Sequence, residues 1–271
     1  MIPDAEQLIA QIRSTRMIRP VGRVAAVEGG TIEVSGLSEQ AHIGSQIVLR
    51  RRVGRPIGGE VIRVDPESVY VLPGAAPEGV SVGDRVILRQ VPLLAPSPHW
   101  IGRVIDPLGR PLDGMPLPRG REARDVNAAP PEAASRRGMG ARLQTGLSVF
   151  NTLLPIAQGQ RVGLFAGSGI GKSRLLAKLV QTMDTDVAVI ALIGERGREV
   201  GEFVRSTLGP KGMKRAVVIA ATSDQSALVR RRCAWSAMTV GLVMPVAIFF
   251  LFDQVFEIRF PRGLLTNLWY G

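Results

Sequence analysis

Three glycines within five residues stand directly before a lysine and a serine in the stretch FAGSGIGKSRLL. At Gly167, Gly169 and Gly171 the backbone can curl without a Cβ clash, so that successive N–H groups can turn inward around a phosphate. Lys172 can reach the terminal phosphates of such a ligand, and the Ser173 hydroxyl is placed to bind Mg²⁺. The stretch therefore predicts a phosphate-binding loop.

The neighbouring sequence fits the same chemistry. The apolar run GQRVGLFAGSG predicts a strand before the loop, and KSRLLAKLVQTM after it has the apolar spacing of a helix. The N-terminus of that helix adds partial positive charge. Ala166 departs from the usual pattern, which has glycine at that position. We expect the contacts to a nucleotide to come from eight consecutive residues: Gly167, Ser168, Gly169, Ile170, Gly171, Lys172, Ser173 and Arg174.

A glutamate and an arginine follow the next predicted strand, in the stretch ALIGERGRE. Glu195 stands at the carboxyl end of that strand, one strand along from the loop. A carboxylate placed there can polarise a water for attack on a terminal phosphate. Arg196 could orient that carboxylate or carry a signal to a neighbouring subunit. On the residues alone, a turn with a surface Glu–Arg pair is the simpler explanation.

The composition argues against several other kinds of site. Cys233 is the only cysteine of the 271 residues, which excludes an internal disulfide and a cysteine-based zinc site, and we expect the reducing cytosol as compartment. His42 and His99 stand far apart, which disfavours a histidine metal site or a Ser-His-Asp triad. The net charge is +11, but the arginines are scattered without interleaved aromatic residues, so we expect no nucleic-acid partner.

Changes in residue pattern divide the chain into four predicted parts. Residues 1–20 read as a short amphipathic helix that lacks the long apolar core of a signal peptide. Residues 21–92 alternate apolar and polar residues between turn signals, which predicts a small closed β-barrel. Residues 93–142, rich in Pro, Gly and Arg, read as a linker and the start of a nucleotide-binding domain. In residues 143–271 strands alternate with helices, which predicts an α/β fold with a parallel sheet and helices on both faces.

Several longer stretches resemble one protein family. TGLSVFNTLLPIAQGQRVGLFAGSGIGKS followed by ALIGERGREV is similar to the catalytic subunits of rotary-type ATPases. Within that superfamily, FAGSGIGKS, GERGREV and ATSDQSALVRRRCAW most resemble the flagellum-specific export ATPase, and GRVIDPLGRPLDG resembles the segment that follows the β-barrel of the family. The resemblance covers about residues 20–240 and implies a P-loop, RecA-like nucleotide-binding domain.

The resemblance also implies a function. It implies an ATP hydrolase that uses Mg²⁺, with Glu195, Lys172 and Arg196 as catalytic residues and Ser173 at the metal. Members of the family work as homo-hexameric rings in which a neighbour supplies an arginine. They act with the flagellar export apparatus and with export chaperones and substrates, in the cytoplasm and peripheral at the inner face of the membrane. Two alternatives stay open: the ATPase of an injectisome, and a catalytically inactive nucleotide-binding fragment.

The resemblance ends at about residue 240. The run VAIFFLFD has the form of the next strand of the family, so Asp253 is a candidate Mg²⁺ ligand, but the residues after Asp253 have no family counterpart. We therefore expect a truncated or frameshifted chain that lacks the C-terminal part of the family fold, hydrolyses ATP poorly and forms no stable hexamer. Cys233–Phe252, twenty residues without a formal charge, also has the length of a transmembrane helix, which Pro245 and the family match disfavour.

Overall fold

The computed structural model describes residues 18–89, 93–120, 122–126, 138–167, 169–243 and 247–251. The helix expected within residues 1–20 lies outside these ranges except for its last three residues, which are not helical. Two of the predicted site residues, Ser168 and Asp253, also lie outside the described residues.

Six antiparallel strands form a closed barrel in the order β1-β2-β5-β4-β3-β6, which confirms the predicted barrel. Side chains alternate between the two faces of a strand, so every second residue points inward. The inward residues form one apolar core that includes Val24, Ile32, Val34, Ile47, Leu49, Val61, Val69, Val71 and Val86. The strands are β1 Val21–Glu28, β2 Thr31–Ser35, β3 Gln46–Arg50, β4 Ile57–Val64, β5 Ser68–Pro73 and β6 Arg85–Arg89.

A four-stranded parallel sheet in the order β10-β8-β9-β7 follows the barrel. Its strands are β7 Val104–Ile105, β8 Val187–Ile193, β9 Ala216–Ala221 and β10 Ala247–Leu251. The α-helices are α1 Ser148–Thr152, α2 Lys172–Thr182, α3 Gly197–Glu202, α4 Gly209–Met213 and α5 Ala227–Val243. A 3₁₀-helix spans Pro98–Trp100, and a π-helix joins α3 to α4 over Phe203–Leu208.

Strand β8 divides the second part of the molecule into two cores, because all seven of its residues are buried. On one face Val187, Val189, Ala191 and Ile193 pack with α5 and with the segment around Trp100. On the other face Ala188, Ile190 and Leu192 pack with α2 and with the π-helix. Helices therefore cover both faces of the sheet, as the alternation of strands and helices predicts.

The turn-rich segment GRVIDPLGRPLDG contributes a strand that the sequence did not indicate. Val104 and Ile105 pair in parallel with β9, and Ile105 is fully buried. The turn signal at Asp106 is confirmed, because its carboxylate accepts the N–H groups of Leu108 and Arg110 at 2.9 and 2.8 Å. The segment thus belongs to the core that lies between the sheet and α5.

The strand expected before the phosphate loop is absent, and this prediction was wrong. Residues 161–167 form no strand and are all exposed, although their composition favours a strand. A strand needs a neighbour whose N–H and C=O groups face it. Among the described residues the sheet ends at β10 on one side and β7 on the other, and neither pairs with this segment. Apolar side chains such as Phe165, 78% exposed, consequently face solvent.

The described residues of the uncharged run Cys233–Phe252 do not form one helix. Its first part belongs to α5, and Ala247–Leu251 forms β10, an edge strand that pairs with β8 alone in the described sheet. Across the described ranges, every helix is too short or too polar to cross a membrane.

Two adjacent glycines of β4 test the packing of the barrel. A Cβ at Gly59 would lie 2.7 Å from Val71 Cγ1 and 3.1 Å from the Leu72 carbonyl oxygen, whereas a Cβ at Gly58 would meet nothing within 4 Å. We predict that Gly59→Ala lowers the free energy of unfolding by about 1–3 kcal/mol through overpacking. Gly58→Ala should leave it unchanged or raise it by up to about 1 kcal/mol. Urea titration measures both, and equal effects of the two substitutions would contradict the packing described.

Candidate active site

Two left-handed glycines shape the phosphate loop. Gly169 has φ +79° and Gly171 has φ +95°, a conformation that residues with a Cβ rarely adopt. A Cβ at either position would meet nothing within 4 Å, so the backbone conformation, not crowding, requires glycine there. Gly167 differs, since its φ lies outside this region and its only close neighbour would be the Ile170 side chain at 3.2 Å. The loop therefore curls at its second half, directly before α2.

Helix α2 begins where the loop ends. Gly171 is its N-cap, and the Gly171 carbonyl oxygen accepts the N–H of Leu175 at 3.0 Å. Lys172 and Ser173 are the first two helical residues; Lys172 is half-buried and Ser173 is exposed. The first N–H groups of a helix have no partner within it and attract anions. The structure thus places the lysine and the hydroxyl at the end of α2 that favours a phosphate.

Glu195 lies in the turn that leaves β8. Gly194, with φ +76°, donates its N–H to the Ala221 carbonyl oxygen at 2.7 Å. The Glu195 carbonyl oxygen accepts the N–H of Ser223 at 3.0 Å. The turn after β8 is therefore tied to the end of β9 on both sides of the glutamate backbone, at the carboxyl edge of the sheet.

The Glu195 carboxyl shares a hydrogen bond with Glu199. Burial, this hydrogen bond and the repulsion between the two carboxylates raise the pKa of Glu195 from 4.5 to about 7, against the opposing charge of Lys172. The hydrogen bond from Glu195 lowers the pKa of Glu199. Glu199 also accepts the backbone N–H of Arg196 at 3.4 Å. Below about pH 7 the two carboxyl groups therefore share one proton, mainly on Glu195, and above that pH Glu195 is a carboxylate that can accept one.

Glu199 was missed by the reasoning from sequence. The signal that could have indicated it is a glutamate three residues after the helix start at Arg196, because a glutamate at that position commonly turns back toward the residues before the helix. Such a glutamate is common on solvated helices, and only the three-dimensional turn shows that the two carboxyl groups meet.

The remaining predicted site residues lie at different places. Arg196 is exposed and caps the start of α3. Ile170 is 72% exposed beside the loop. Arg174 is exposed on α2 and lines a cleft of about 370 Å³ between α2 and the π-helix, together with Lys178, Gln181, Glu202, Ser206 and Thr207.

The described residues fit a magnesium-bound nucleotide in part. The two left-handed glycines, the helix N-terminus and Lys172 suit phosphates. The described part of the chain contains no group of three or more His, Cys, Asp or Glu residues that could hold a metal ion by itself. A metal here would need Ser173 together with phosphate oxygens of the ligand, as in other phosphate loops.

Comparison with known proteins identifies relatives of this chain. Residues 146–244 match the model of the ATP synthase alpha/beta family, nucleotide-binding domain. The flagellum-specific ATP synthase of Caulobacter vibrioides is 39% identical over 239 residues, which cover 88% of this chain and 54% of the relative. That of Treponema pallidum is 39% identical over 233 residues, covering 85% of this chain and 52% of the relative.

A solved structure shows the same fold. The assembled ATPase EscN, in complex with its central stalk EscO, from the type III secretion system of enteropathogenic E. coli superposes with a TM-score of 0.72 at 31% identity. The match covers 82% of this chain and 54% of EscN. This chain spans about half the length of the curated relatives that it matches. Over the residues that these proteins match, the chain is a homologue of flagellum-specific ATP synthases, and its residues 146–244 correspond to the nucleotide-binding domain of the ATP synthase alpha/beta family.

Proposed function

We propose that this chain is the nucleotide-binding part of a P-loop ATPase that hydrolyses MgATP to power flagellar type III protein export. The observation that carries the proposal is the meeting of two opposite charges at one edge of the sheet. Lys172, at the start of α2, lies near enough to Glu195, at the end of β8, to lower the pKa of that carboxyl. A phosphate held at the loop would stand beside both groups.

The chemistry assigned to each residue follows from its place. Gly169, Gly171 and the first turn of α2 would bind the phosphates, and Lys172 would hold the terminal ones. A Mg²⁺ ion at Ser173 would supply charge neutralisation at the phosphate oxygens. Ser168 and Asp253 remain predictions for the phosphate and metal contacts.

Glu195 would act as the general base that takes a proton from the attacking water. Such a base works best when its pKa lies near the working pH, and the pKa of Glu195 is raised to about 7. Glu199 would make the Glu195 carboxylate more basic, because the repulsion between the two negative charges favours uptake of the proton. The backbone N–H of Arg196 holds the Glu199 carboxylate in place by a hydrogen bond. The exposed Arg196 side chain suits a contact with a neighbouring subunit.

The flagellar assignment is supported by the relatives. The flagellum-specific proteins reach 39% identity, whereas EscN reaches 31%. The proposal includes a homo-hexamer with a neighbour's arginine at each site, contacts with the flagellar export apparatus and with export chaperones and substrates, and a cytoplasmic position at the inner face of the membrane. It includes no nucleic-acid partner.

The second candidate function is that of an injectisome ATPase, which the fold match to EscN favours. Deletion of the gene separates the two candidates. Loss of swimming motility with intact effector secretion supports the flagellar function, and the reverse phenotype supports the injectisome. Release of phosphate from MgATP by the purified protein separates both from a catalytically inactive binding fragment.

Lys172→Ala tests nucleotide binding at the loop. We predict that this change weakens binding of a fluorescent ATP analogue by about 2–4 kcal/mol, because a charge-assisted contact to the phosphates is lost. Lys178→Ala is the matched control, since Lys178 is an exposed lysine of the same helix, six residues after Lys172 and outside the expected nucleotide contacts. Unchanged affinity in Lys172→Ala, or an equal loss in both variants, would refute the assignment of the loop.

Glu195→Gln tests the catalytic base. In a version of the protein that spans the full length of its relatives, we predict that the rate of phosphate release falls about 10²-fold or more while nucleotide affinity stays close to that of the wild type, because the amide keeps its shape but cannot accept the proton. Glu202→Gln, an exposed glutamate of α3, serves as the control and should hydrolyse ATP normally. If Glu195→Gln turns over ATP at the wild-type rate, Glu195 is only a turn residue.

A further inference from the structure

A carboxylate of the barrel is held by a helix of the second domain. Glu60 lies on β4, and its Oε2 accepts Nη2–H of Arg232, 172 residues later on α5, at 3.3 Å. The same oxygen accepts Nε2–H of Gln46 at 3.0 Å, and Arg231 Nη2 lies 3.9 Å from Oε1. The Glu60 side chain is only 13% exposed. These contacts join the barrel to α5.

Arg232 depends on Glu60 for its charge balance. The arginine is 3% exposed, and its Nη1 finds no hydrogen-bond partner in the described part of the chain. Glu60 is the one carboxylate that pairs with it among the described residues. A buried cation that loses its counter-ion is strongly unfavourable. The pair therefore fixes the first half of α5 against the barrel, where Val229 also lies 3.9 Å from the place of a Cβ at Gly74.

The same helix continues directly from the turn that holds Glu195. Residues 222–226 form this turn, in which Gln225 donates its N–H to the Thr222 carbonyl oxygen at 3.0 Å. The Ser226 carbonyl oxygen accepts the N–H of Arg230, so the turn passes into the first turn of α5. At its other end, Ser223 donates its N–H to the Glu195 carbonyl oxygen. A short path of backbone hydrogen bonds thus connects the start of α5, which holds Arg232, with Glu195.

We propose that Glu60 is a positioning residue for Glu195. By holding Arg232, Glu60 fixes the start of α5; the start of α5 fixes the 222–226 turn; and that turn fixes the backbone of Glu195 through Ser223. The barrel then acts on the hydrolysis site without contributing a residue to it. The kinetic consequence of this proposal rests on the proposed function, whereas the structural consequence does not.

A purely local ion pair would join the barrel to α5 and do nothing more. The two accounts differ in which segments of the chain change when the Glu60 charge is removed. A local pair predicts changes in β4 and in the first half of α5. A positioning role predicts changes also in the 222–226 turn and in residues 194–200, which do not touch Glu60 in the contacts described.

Hydrogen exchange measured by mass spectrometry on the nucleotide-free protein separates these accounts. In Glu60→Gln we expect amides of residues 194–200 and 221–226 to exchange roughly tenfold faster, because local opening becomes easier. Glu67→Gln is the matched control: Glu67 is an exposed barrel glutamate for which the structure shows no contact with α5, and exchange should equal that of the wild type. Wild-type exchange in both segments of Glu60→Gln would overturn the proposal.

The double variant Glu60→Gln/Arg232→Gln adds a second readout. Removing the buried charge together with its partner should bring exchange in residues 194–200 back toward the wild-type rate, because no cation is left unpaired. If Arg232→Gln prevents folding, the single variant Glu60→Gln still decides. Exchange in the double variant that is as fast as in Glu60→Gln would contradict the role given to the Arg232 charge.

Kinetics of a version of the protein that spans the full length of its relatives complete the test. In Glu60→Gln we expect kcat for ATP hydrolysis to fall about tenfold with nucleotide affinity unchanged, since the loop and Lys172 are not part of the path. A drop in affinity with unchanged kcat would overturn the positioning role. If the wild-type protein of that length releases no phosphate, the proposed function fails, and the exchange experiment still tests the structural link between Glu60 and the Glu195 turn.

Discussion

The burial of β8 on both faces is the constraint on which the candidate site depends. All seven residues of the strand are packed between α5 on one side and α2 with the π-helix on the other. The chain can become polar only where β8 ends, at Gly194, and the first side chain after it is Glu195. The glutamate is therefore half-buried by its position in the fold. Helix α2 packs on the same strand, which brings Lys172 to the same edge of the sheet.

The protonation of Glu195 follows from this position. Burial favours the neutral acid of Glu195. Glu199 favours it too, because it accepts a hydrogen bond from the neutral acid and its charge repels the ionised form, whereas Lys172 favours the ionised form. The first two causes prevail, so the pKa is raised to about 7. Because the pKa in the folded protein exceeds the unfolded value of about 4.5, the neutral carboxyl stabilises the fold below pH 4.5. That stabilisation is lost as the pH rises through 7. The fold is therefore less stable at neutral pH than at low pH by this contribution, and the Glu195 carboxyl can exchange protons near neutral pH.

Local sequence signals predicted the elements whose formation is local. The glycines of the phosphate loop, the start of α2 at Lys172 and the alternation of the barrel strands all follow from backbone conformation and side-chain periodicity. The strand expected over residues 161–167 failed because a strand also requires a neighbour, which composition does not reveal. β7 was hidden because two residues between turn signals give no periodicity. The pairs Glu195–Glu199 and Glu60–Arg232 depend on three-dimensional packing, the second across 172 residues.

Titration of the glutamate carboxyl groups by ¹³C NMR tests the central claim most directly, namely that Glu195 is a base adjusted to neutral pH beside the phosphate loop. In the nucleotide-free protein labelled at the glutamate Cδ atoms, one resonance should titrate with a midpoint near pH 7. That resonance should be missing in Glu195→Gln, and it should move to lower pH in Glu199→Gln, where the repulsion between the two carboxylates is lost. If every glutamate instead titrates near the ordinary value of about 4.5, the Glu195 carboxyl is neither buried nor paired as described, and the account of the site is wrong.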